Sequence, residues 1–177
     1  MAAFGERLVR AIKLDKDIYE EVEADRGATR QAMSVVVLAA LASGIGMSGG
    51  GGPGMVAGVL GALGGWVIAA LIIFVIGTKL LPQPQTRSDP GELLRTMGFA
   101  NGPGLFYVLG AVPIIGTPVR LVVGVWLLIA WVIAVRQALD YDNTGRAVLV
   151  CVIGWLVYVG GILMLSLMMG GMAALSG

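Results

Sequence analysis

Histidine is absent from all 177 residues, cysteine occurs once, and only 13% of the chain is charged. Each shortage closes off a chemistry. Zinc, haem and chlorophyll-type sites draw on His and Cys ligands, so this chain is expected to bind no metal and no cofactor. Cys151 has no partner for an internal disulfide. Serine hydrolysis inside a membrane needs a base such as His or Lys beside the nucleophile. The lysines, Lys13, Lys16 and Lys79, lie at or beyond the ends of apolar runs. A formal net charge of +1 leaves no electrostatic footprint for nucleic acid. No enzymatic activity is expected.

What the chain has in quantity is apolar residue, 57% of the total. An ordinary soluble domain carries roughly 25% charge, about twice the share found here. The charges are also segregated. No Asp, Glu, Lys or Arg occurs between Gln31 and Thr78, between Thr96 and Val119, between Leu121 and Val135, or after Arg146. A transmembrane helix needs roughly 20 apolar residues, so these runs predict an all-α integral membrane protein in contact with lipid.

Residues 1–30 read as a cytoplasmic segment preceding a membrane domain over 31–177. Phe4, Leu8 and Ile12 fall on one side of a short helix and Arg7, Arg10 and Lys13 on the other, the pattern of an amphipathic helix lying on the membrane surface. Asp15 is placed to cap a second helix with Ile18, Tyr19 and Val22 on its apolar edge, and Gly27 to stop it. Its carboxylates read as a solvated face. Five spans are predicted, over about 31–47, 54–80, 99–115, 118–135 and 145–169. Between the first two lies the loop SGGGGPG, which carries no phosphate-loop Lys-Ser/Thr. Asp89, Pro90 and Glu92 form a capping-box pattern for an interfacial helix before the third span. Thr117 and Thr144 are expected to cap the fourth and fifth. DYDNTG at 140–145 resembles the start of a calcium loop, but the twelfth position is Cys151 within a span.

Five spans give an orientation. With the N-terminus inside, loops 1–30, 78–98 and 136–146 carry six, three and two Lys/Arg, whereas the outer loops carry only Arg120. That is a strong positive-inside bias, with the C-terminus outside. Arg120 and Arg136 sit at opposite ends of the fourth span, where they can snorkel. No span holds an ionisable group at depth, which argues against an ion pathway.

Two patterns concern helix packing. Gly54, Gly58, Gly61, Gly65 and Ala69 share one stripe of the second span, the doubled GxxxG arrangement that lets helices approach closely. In GFANGPGLFYVLGAVPIIGTPVR, residues 98–120, glycine and proline recur through an apolar segment. Gly102 and Pro103 are expected to end the interfacial helix, Pro113 to kink the third span and Pro118 to start the fourth.

Several stretches resemble the Yip (Ypt/Rab-interacting protein) domain family, in particular its prokaryotic members. They are LVRAIKLDKDIYEEVEADRGATRQAMSVVVLAALASGIG near the start, LLRTMGFANGPGLFYVLGAVPIIG in the middle and VRQALDYDNTGRAVLVCVIG near the end. The resemblance covers about 7–165. It implies five spans and a cytoplasmic N-terminus. Eukaryotic members bind small GTPases; their Asp-Leu-Tyr-Gly-Pro element is echoed here only by Asp17-Ile18-Tyr19, without Gly-Pro. Prokaryotic members look like accessory subunits of larger membrane assemblies. The expectation is a non-enzymatic scaffold or accessory subunit that binds a membrane protein, with Asp17, Tyr19, Glu21 and Phe99 as candidate contacts. The alternative is a small transporter or channel component acting as a homo-oligomer. A third reading is a subunit of a pigment or redox complex whose partner ligates every cofactor.

Overall fold

In the computed structural model, which describes residues 3–48 and 54–175, the regular elements among the described residues are all helical. The glycine-rich loop predicted after the first span lies largely outside the described residues. Helices α1 (Phe4–Ile12) and α2 (Lys16–Ala24) precede α3 (Ala28–Ser48) and α4 (Gly54–Val75), whose last turn continues as a π-helix over Ile76–Leu80. Then come α5 (Pro90–Phe99), a 3-10 helix over Gly102–Ala111, α6 (Gly116–Ala138) and α7 (Thr144–Leu175).

Among the described residues, four helices are long and apolar enough to cross a membrane: Ala28–Met47, Gly54–Leu80, Gly116–Ala138 and Thr144–Met168. The segment expected as the third span, 99–115, is not one helix. The α-helix stops at Phe99, and the backbone resumes as the tighter 3-10 form, with Pro103 in its first turn, where a missing N–H costs nothing. Gly102 is thus the first residue of the new helix rather than the last of the old. Pro113 falls in the turn after the 3-10 helix and kinks no helix, and α6 begins at Gly116 with Pro118 already in its first turn.

This composite segment runs beside α3 and in the same direction. A β-carbon on Gly98 would lie 2.6 Å from that of Ala32, one on Gly104 3.1 Å from that of Ala39, and one on Gly110 3.1 Å from the Gly46 carbonyl oxygen. A β-carbon on Gly46 would overlap the Tyr107 carbonyl. Glycines therefore let two backbones approach along most of α3. The Phe106 and Trp126 rings, stacked 5.4 Å apart, fasten the other side of the 3-10 helix to α6. Neighbour follows neighbour around a closed ring: α3 touches α4, α4 touches α7, α7 touches α6, and α6 and α3 both touch the 3-10 helix.

Capping follows local chemistry, with two corrections. Asp15 accepts from the Asp17 N–H at 3.0 Å, and Asp89 and Glu92 form the reciprocal capping box. Thr117 does not cap α6, whose N-cap residue is Ile115 without a side-chain bond. Asn143, not Thr144, accepts at the start of α7, from the Gly145 N–H at 2.7 Å. Arg120 does not snorkel freely: it donates to the Gly46 carbonyl at 3.2 Å and so ties the start of α6 to the end of α3. Arg136 likewise donates to the Tyr141 and Asp142 carbonyls, both at 3.0 Å.

Candidate functional site

Two regions combine shape with chemistry: a head at one end of the bundle and a cavity inside it. The head is built from α1, α2, the start of α5 and the turn between α6 and α7. Arg7 and Arg10 on the basic side of α1 face α2 and the start of α3, while Lys13 stays exposed. Arg7, only 2% exposed, donates to Glu21 at 2.9 Å, Asp25 at 2.7 Å and Gln31 at 3.1 Å. Arg10 donates to Asp15 and to Glu21, each at 2.7 Å. Of the carboxylates expected as a solvated face, Asp15, Glu21 and Asp25 are thus partners of α1, whereas Asp17 and Glu20 stay exposed. Hydrogen bonds from Arg10 hold Asp15 below the usual carboxylate range, and those from Arg7 do the same for Asp25. The apolar side of α1 is also engaged, since Leu8 and Ile12 lie against Gly102.

Arg95, 5% exposed, makes no ion pair among the described residues; its guanidinium donates to the Val22 and Glu23 carbonyls at the end of α2. A cation at the carbonyl end of a helix complements its dipole and satisfies orphan acceptors, so α5 holds α2 in place. The Tyr141 hydroxyl lies within hydrogen-bond distance of the Gly77 and Leu81 carbonyls, at 3.0 and 2.7 Å across the π-helical turn, and its single proton serves one or is shared between them.

Beside these contacts opens a cleft of about 860 Å³ whose walls carry Glu20, Glu23, Glu92, Asp140 and Asp142, with Arg136 as their cationic neighbour. Glu20 accepts from Gln137 at 2.8 Å and Asp142 from Gln85 at 2.6 Å. Glu23 is half-buried. Desolvation, reinforced by Glu92 and Asp140, pushes its carboxyl up to about 7, against the pull of Arg95. The folded chain therefore binds a proton that the unfolded chain releases from pH 4.5 upward. The contribution of Glu23 to stability falls as pH rises from there through about 7, by about 1–2 kcal/mol once solvent screening is allowed for. Glu23→Gln is expected to remove that slope from the melting temperature measured between pH 4.5 and 7.5. An unchanged slope would show that Glu23 titrates normally.

The second region is an apolar cavity of about 960 Å³ at the centre of the ring, with walls from α3, α4, the 3-10 helix, α6 and α7. It carries no charged residue; Ser43, Asn101, Tyr107 and Tyr158 supply most of the polar atoms. On the α5 side, Trp66 Nε1 donates to the Leu94 carbonyl at 3.1 Å, and Asn101 donates to the Met97 carbonyl at 2.8 Å. Gly61, Gly65 and Ala69 form part of the α4 wall. A β-carbon on Gly65 would fall 2.6 Å from the Tyr158 hydroxyl, whereas one on Gly54, Gly58 or Gly61 would meet no atom within 4 Å among the described residues. Within the chain, the stripe thus borders open space and makes one tight contact, instead of forming a continuous helix seam.

The Yip1 domain family model matches residues 16–174, nearly the whole length over which α2 to α7 are built. The chain belongs to the Yip1 domain family. No curated protein and no solved structure matches it. In this Yip1-domain chain the residues singled out as candidate contacts separate. Tyr19 and Phe99 are both 0% exposed, so in this conformation neither offers surface to a partner, and the Tyr19 hydroxyl is buried without a hydrogen-bond partner among the described residues. Glu21 is committed to Arg7 and Arg10, and Asp17 remains exposed. Sequence reasoning passed over Arg7, Glu23, Arg95 and Tyr141. For Arg95 the sequence pointed the wrong way, since Glu92 three residues earlier is a helix-face partner by spacing, yet the guanidinium turns to the end of α2.

Proposed function

We propose that this Yip1-domain protein is a non-enzymatic scaffold or accessory subunit of a larger membrane complex, of the prokaryotic branch and the cytoplasmic membrane. The reading takes the composite of α5 and the 3-10 helix as a fifth crossing. Leaving Glu92 and Arg95 in the head, the four α-helical residues from Thr96 to Phe99 and the ten 3-10 residues reach about 26 Å at roughly 1.5 and 2.0 Å per residue, close to a hydrocarbon core of about 30 Å. With eleven of twelve Lys/Arg then on one side, the N-terminus and the head lie in the cytoplasm and the C-terminus lies outside. In that frame α1 sits at the membrane interface.

The observation that carries the proposal is the head itself. Arg7, Arg10 and Arg95 fasten α1 and α2 to the bundle, and the result is a fixed acidic cleft in the aqueous phase. A preorganised charged surface steers and orients a complementary, basic segment of a partner. Purification from the native membrane in mild detergent or nanodiscs, with mass spectrometry of what stays bound, is expected to yield a stoichiometric membrane protein. Combined Glu20→Lys and Asp142→Lys substitution, at two exposed cleft positions, should release it. A clean homo-oligomer without a partner would overturn the reading.

A second reading, a small transporter or channel component acting as a homo-oligomer, is favoured by the central cavity. An ionic cargo would meet no charged wall residue there. Flux of uncharged solutes through the reconstituted homo-oligomer tests that alternative.

A further inference from the structure

We infer that the central cavity is a binding site for one hydrocarbon tail of a membrane lipid. The inference goes beyond the scaffold reading and does not depend on the acidic cleft. It rests on where the cavity lies, what its wall is made of and where it reaches the surface.

The cavity lies within the membrane-crossing part of the bundle, because its walls come from the middles of α3, α4 and α6 and the first half of α7, together with the 3-10 helix. At about 960 Å³ it falls at the upper end of the pockets that hold small ligands, roughly 300–1,000 Å³. The wall carries no formal charge, so neither an ion nor a zwitterionic or anionic headgroup finds a counter-charge inside. Its exposed lining residues point to the route of entry. Leu128 on α6 is 67% exposed, and Val152 and Trp155 on α7 are 49% and 63% exposed, so the space reaches the outer face of the bundle along these two helices. In a bilayer that face borders acyl chains, not water. A tail entering there exchanges one apolar environment for another and gains close packing contacts, while its headgroup stays at the interface. Small side chains at Gly61, Gly65 and Ala69 keep the α4 wall thin, and this gives the stripe its use.

The test uses the full chain in phosphatidylcholine nanodiscs that contain a trace of phosphatidylcholine with a diazirine near the end of one acyl chain. After photolysis, peptide mass spectrometry maps the adducts. Adducts are expected on the inward residues Tyr107 and Tyr158 as well as on outward residues such as Leu163 and Leu165. Gly61→Trp, which grows from the cavity wall, is expected to abolish the inward adducts and keep the outward ones. Gly58→Trp, which lies off the wall and also meets no atom within 4 Å, should keep both. Outward labelling alone on the wild-type chain would overturn the inference, as would inward labelling untouched by Gly61→Trp or inward cross-links to a second copy of the chain. The wild-type map decides the matter even if a variant fails to fold.

Discussion

Arg7→Met is expected to destabilise the protein by about 3 kcal/mol and to release α1 and α2 from the bundle, because removing one member of a buried charge network strands the others. Glu21 and Asp25 would lose their guanidinium, and Gln31 a donor. The figure is set at the lower end for such losses because Glu21 and Asp25 keep 30% and 17% of their side-chain surface in solvent and can rehydrate. Limited proteolysis of the detergent-solubilised variant should cut within 13–27 while leaving the bundle intact. Adding Glu21→Gln and Asp25→Asn should restore part of the melting temperature, since the stranded charges are then gone. If Arg7→Met resists proteolysis as the wild type does, the network contributes nothing and the head is held by apolar contact alone.

The other large effect is expected at Gly46. Any side chain there starts inside the Tyr107 carbonyl, which is backbone and cannot rotate away. Overpacking costs about 1–3 kcal/mol where side chains can yield, so Gly46→Val is expected at or above the upper end of that range. The 3-10 helix must move off α3, and Arg120 loses its acceptor geometry at the Gly46 carbonyl. Gly58→Val, on a helix of similar length but facing open space, should change the melting temperature little. Equal melting temperatures for the two variants would show that the close approach of α3 and the 3-10 helix is not needed for stability.

The two positions also show what the sequence could and could not reveal. The helices α3, α4, α6 and α7 were legible because a long charge-free run has few alternatives, and the capping box at Asp89 because its chemistry is local. Residues 98–120 announced an irregular backbone through glycine and proline. They did not announce a 3-10 helix, whose pitch answers to contact with α3, at Gly46 above all. Arg7 looked like one arginine of a surface face because its carboxylates lie 14 and 18 residues away on another helix. The glycine stripe reads as a face for a close neighbour, either another span or a partner subunit. Small residues let neighbours close in, but they equally leave room when the neighbour stays back, and only the positions of α6 and α7 separate the two cases.

The π-helical turn at Ile76–Leu80 joins the end of α4 to the head. Its wider turn sets the Gly77 and Leu81 carbonyls on either side of the Tyr141 hydroxyl, and Tyr141 also lines the acidic cleft. One phenol is thus shared by the last turn of α4 and the cleft, so a substitution that displaces Tyr141 should be felt at both.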